Sequence, residues 1–73
     1  MKSKRAIAMQ KIEALALSNG GKNIKKIKDG IEGSFPARSI SCDGEKTYRI
    51  VWNPTLSRVE SWVGNGLRNH WHI

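Results

Sequence analysis

With 73 residues, 13 Lys and Arg against 6 Asp and Glu, and a net charge of +7, the chain has room for one small domain spanning residues 1–73 and for only a modest core. One cysteine, Cys42, excludes an internal disulfide, and two histidines without a Cys-x-x-Cys pair supply no ready metal set, so neither a cofactor nor a metal is expected. No apolar run nears the roughly 20 residues of a spanning helix, which sets a membrane aside.

The opening Met1-Lys-Ser-Lys-Arg5 has the charge of a signal peptide, but Gln10, Lys11 and Glu13 interrupt the apolar stretch that would have to follow. A lone thiol also suits a reducing compartment, so the chain is expected to be cytoplasmic. The placement of charge is more informative than its size. Residues 1–28 hold eight bases (Lys2, Lys4, Arg5, Lys11, Lys22, Lys25, Lys26, Lys28) against one acid, Glu13, whereas residues 29–73 hold five of each. Such polarisation marks a surface for an anionic partner.

From Ser3 to Ser18 the residues are good helix formers with no Gly or Pro. At 3.6 residues per turn, Ala8, Met9, Ile12, Leu15 and Ala16 form one stripe, blurred by Ile7, Ala14 and Leu17. Asn19-Gly20-Gly21 ends this helix. Asn23 to Asp29 reads either as a short second helix, with Ile24, Ile27 and Ile31 facing the core, or as an extended basic loop; the sequence leaves the two open.

Gly33-Ser34-Phe35-Pro36 is a break, after which the chain turns to short β segments. Ala37 to Cys42 is a first strand, Asp43-Gly44 a hairpin turn, and Glu45 to Trp52 a second strand. Asn53-Pro54 opens a second turn, and Ser57 to Val63 is a third strand closed by Gly64-Asn65-Gly66. Leu67 to Ile73 is an added strand or a helical turn. A four-residue loop over Asn53 to Leu56 sets Trp52 opposite Ser57, Ile50 opposite Val59 and Tyr48 opposite Ser61. Tyr48, Ile50, Trp52, Val59 and Val63 then share the core face with Ile40, and Arg49, Val51, Arg58, Glu60 and Trp62 the other. The expected fold class is α+β: an N-terminal helix, with or without a second short one, packed on a three-stranded antiparallel meander.

Two features suggest chemistry. The cluster Lys22-Asn-Ile-Lys-Lys-Ile-Lys28 offers compact mobile charges suited to phosphates, with Lys4, Arg5 and Lys11 beside it. A solvated face that keeps a small protein in solution accounts for the same lysines. Arg49, Arg58 and Trp62 on the outer face resemble, in chemistry only, a platform where a base stacks on an aromatic beside cations, although Glu60 lies among them and simple cross-strand pairing is the plainer account. Extended, His70-Trp71-His72 projects two imidazoles to one side, but without a third ligand, and Trp71 is better read as an anchor of the tail on the core.

No catalytic arrangement stands out, so a non-enzymatic role is expected. The first expectation is a small nucleic-acid-binding protein holding phosphates through Lys22, Lys25, Lys26 and Lys28, helped by Lys4, Arg5 and Lys11. The alternative is a small regulator or inhibitor, of the kind a phage or other mobile element carries, that binds an acidic surface or a nucleic-acid groove of a larger protein. The sequence leaves open DNA against RNA, single strand against duplex, and monomer against homodimer.

Overall fold

Ser3 begins the first element. In the computed structural model, which describes residues 3–36 and 46–73, its hydroxyl accepts from the Ala6 amide at 3.1 Å and caps the helix α1, Lys4–Ser18. The other end closes by a Schellman arrangement: the Gly20 amide donates to the Leu17 carbonyl and the Gly21 amide to the Ala16 carbonyl. Gly20 takes a φ of 69°, which glycine reaches without a side-chain clash. Ala8, Ile12 and Ala16 of the expected stripe are buried, and Met9 and Leu15 pack against them.

After α1 the chain runs through five strands: β1, Lys22–Ile27; β2, Gly30–Phe35; β3, Lys46–Asn53; β4, Arg58–Val63; and β5, Gly66–His72. They form one antiparallel sheet in the order β1-β2-β3-β4-β5. The class is α+β, a helix on an antiparallel meander, but the sheet has five strands where three were expected. Neither a second helix nor a loop forms over Asn23 to Asp29; that stretch is β1 and its turn. Ile24 and Ile27 there, like Ile31 beyond the turn, are β-branched and favour a strand, whatever their spacing. Ile31 is buried, but Ile24 stays 42% exposed.

The break read at Gly33 to Pro36 is also overturned. Gly30–Phe35 is a buried strand, and it takes the place beside β3 expected for Ala37 to Cys42, which lies outside the described residues together with Ile40 and the Asp43-Gly44 turn. Glycine is required at position 30 by close approach. A Cβ there would lie 2.0 Å from the Ile50 carbonyl oxygen and 2.8 Å from the Val51 Cα. The tail resolves as a strand, β5, paired along β4.

In the β3–β4 hairpin the pairs are Trp52 with Val59 and Ile50 with Ser61, two residues from the expected register. The loop is Pro54 to Ser57 rather than Asn53 to Leu56, and Asn53 pairs with Arg58 while its side chain accepts from the Leu56 amide at 3.1 Å. A two-residue shift preserves facing, because side chains alternate with a period of two. Tyr48, Ile50, Trp52 and Val59 therefore do form the core face, with Ile31 and Phe35 of β2. Phe35 meets Tyr48 edge to face at 5.8 Å. The helix covers β2, β3 and β4 on this side. Trp71 and Ile73 of the tail pack at the margin, which ties the chain end to the core.

Candidate nucleic-acid interface

The sheet face turned away from α1 is built by alternation. On β3, Arg49, Val51 and Asn53 point there because Tyr48, Ile50 and Trp52 point to the core. Pairing carries the same face across the sheet: Arg49 lies opposite Trp62 and Glu32, Val51 opposite Glu60, and Asn53 opposite Arg58. Lys25 stands opposite Glu32 and Lys22 opposite Ser34, so both belong to this face. Lys26, opposite core residue Ile31, belongs to the helix side.

Glu60 organises the centre. Its side chain is 5% exposed, and it accepts from Arg58 Nε at 2.6 Å, Asn53 Nδ2 at 3.2 Å and Trp62 Nε1 at 3.2 Å. Burial opposes its charge, but these three hydrogen bonds and the Arg58 guanidinium outweigh that and hold the carboxyl below its usual range. The network also fixes Trp62, which is half-buried with its indole N–H tied to Glu60. Arg49 lies 6.0 Å from the centre of the Trp62 ring and donates to the Gly64 carbonyl at 2.7 Å. Lys25 forms an ion pair with Glu32 at 3.2 Å.

The expected site residues are thus partly assembled. Lys22, Lys25, Arg49, Arg58 and Trp62 share one face. Lys4, Arg5 and Lys11 stand on α1, across the sheet from them. Lys4 donates to Ser57 Oγ at 3.1 Å, and Arg5 forms an ion pair with Asp29, so both brace the helix against the turns at that end. Lys28 sits in the β1–β2 turn. The lysine cluster is divided between the two sides of the sheet, since a strand sends successive side chains to opposite faces. Asn53 was missed as a site residue because it was read solely as a turn former; the alternation it shares with Arg49 and Val51 is the signal that places it.

No family model, curated protein or solved structure matches the chain. Among the described residues no helix is long and apolar enough to cross a membrane, and no group of three or more His, Cys, Asp or Glu is placed to hold a metal.

Proposed function

We propose that this protein is a small, non-catalytic nucleic-acid-binding protein that lays its helix-free sheet face on the nucleic acid. The observation that supports this most is the placement of Lys22, Lys25, Arg49 and Arg58 on one face with Trp62, from three strands. The cations suit phosphate oxygens, and the indole offers a π-face to an unpaired base. Lys28 at the turn extends the positive potential around the edge.

Fluorescence anisotropy with labelled single-stranded and duplex oligonucleotides, over a range of salt, tests this. At most four phosphate contacts imply a log–log salt slope no steeper than about −3.6 on duplex and about −2.8 on a single strand. Trp62→Ala is expected to weaken single-strand binding by about 1–3 kcal/mol while leaving the slope nearly unchanged. Affinity that vanishes at physiological salt for both substrates would overturn the proposal, because it would reflect basicity alone.

A second reading, a regulator that docks on an acidic protein, draws on a different surface. Leu17 is 84% exposed and Ile24 42% exposed, and with Ala16 and Ile31 they line a cleft of about 370 Å3 between α1 and β1, to which Glu13 and Lys26 also contribute. Leu17→Glu separates the two readings: it is expected to leave oligonucleotide affinity intact and would abolish a complex that depends on this cleft.

A further inference from the structure

We propose that β5 is a metal-dependent self-association edge, in which His70 and His72 hold one half of a transition-metal ion and the same pair on a second copy holds the other half. The pair is made by the strand. Residues two apart on an extended backbone project to one side, and here both imidazoles are exposed on the helix-free face with ring centroids 5.3 Å apart, nearly perpendicular. With metal–nitrogen bonds of about 2.0–2.1 Å, two ligand atoms of a tetrahedral ion lie about 3–3.5 Å apart, which ring rotation reaches from that separation.

Two imidazoles complete half of such a set. Among the described residues no neighbouring group completes it. Glu60 lies opposite His70, but its oxygens already accept from Arg58, Asn53 and Trp62. Arg58, opposite His72, is ion-paired to Glu60, which offsets the cation closest across the strand pair. In this proposal a second copy of the chain supplies the remaining two ligands.

The sheet offers a way for a second copy to supply them. β5 pairs with β4 on one side and is the last strand of the sheet, so its other side carries main-chain donors and acceptors; the His70 amide donates to Asn69 Oδ1 at 2.8 Å, a bond that a second strand has to replace. The two edges differ. β1 carries Lys22, Lys25 and Lys26 and a break in register between Lys22 and Lys25, features that discourage strand addition. Asn69 to His72 has no lysine or proline and pairs regularly with β4, the break in register of that pair, between Ser61 and Trp62, lying outside this stretch. Two β5 strands joined antiparallel about a two-fold axis perpendicular to the sheet keep both helix-free faces on the same side. His70 and His72 of each copy then become cross-strand neighbours at about 4.5–5.5 Å between Cβ atoms. An all-imidazole set suits Zn2+, Cu2+ or Ni2+.

Titration of the full chain with Zn2+ in a non-coordinating buffer free of nucleic acid, followed by calorimetry and light scattering, tests this independently of oligonucleotide binding. Expected are one ion per two chains, a doubling of mass, and return to the single-chain mass on adding EDTA. His70→Ala and His72→Ala are each expected to abolish the mass change while keeping the far-ultraviolet circular dichroism of the parent, since both positions are exposed. A mass that Zn2+ leaves unchanged, or a doubling that both variants retain, would overturn the proposal.

Discussion

Glu60 lies on the sheet face that no helix covers, yet it is buried, because Arg58, Asn53 and Trp62 close around it. Removing the carboxylate leaves those donors facing one another without an acceptor, and Glu60→Ala is expected to cost about 1–3 kcal/mol of stability. The sign of its pH dependence follows from its lowered native value. A carboxyl depressed on folding stabilises the native state fully above its unfolded value, about 4.3, and the contribution fades as pH falls through the lower folded value. Urea unfolding at pH 7 and pH 3 is expected to show a larger acid-induced drop for the parent chain than for Glu60→Gln, whereas equal drops would contradict this role. At this scale the sequence was informative. Alternation put Trp52 in the core and Trp62 on the open face, and the apolar body of Trp71 suited the anchoring role it fills. What alternation could not supply was the convergence of Asn53, Arg58 and Trp62 on one carboxylate, since rotamers decide that.

Among the elements, α1 was legible to within a residue because its cap, its stripe and its glycine stop agree with one another. The β1–β2 hairpin was not, and three local features hid it. Asn23 has a φ of 55° and the register shifts between Lys22 and Lys25, so the period-two signal is interrupted where it should begin. Ile24, Ile27 and Ile31 fall at helical spacing across a turn rather than along one element. Gly30 and Gly33 resemble chain breakers, yet both are buried inside β2 because neighbouring atoms leave no space for a Cβ. Gly30→Ala is a direct check of that explanation. Its methyl would press on the backbone of Ile50 and Val51, which cannot swing aside, so a loss of about 1–3 kcal/mol is expected in thermal or urea unfolding. Unchanged stability would mean that the two strands do not approach as closely as described.

Over the whole molecule, charge that is polarised along the chain becomes divided in space. The bases of α1 brace the helix through Ser57 and Asp29 or stand on its surface, while β1 sends Lys22 and Lys25 to one side of the sheet and Lys26 to the other. Linear counting saw one basic half; the fold creates a mixed open face on which Glu32 and Glu60 are each ion-paired with a base. If that face meets nucleic acid, position must matter more than total charge. Lys25→Glu and Lys26→Glu offer a matched pair, adjacent in sequence and identical in net charge change, yet on opposite sides of the sheet. Their oligonucleotide affinities, measured by anisotropy across a salt series, test the proposed face most directly. Lys25→Glu is expected to weaken binding and make the log–log salt slope shallower by about 1, while Lys26→Glu keeps nearly the parent affinity and slope. Equal losses in the two variants, or a larger loss in Lys26→Glu, would contradict the assignment of binding to the helix-free face.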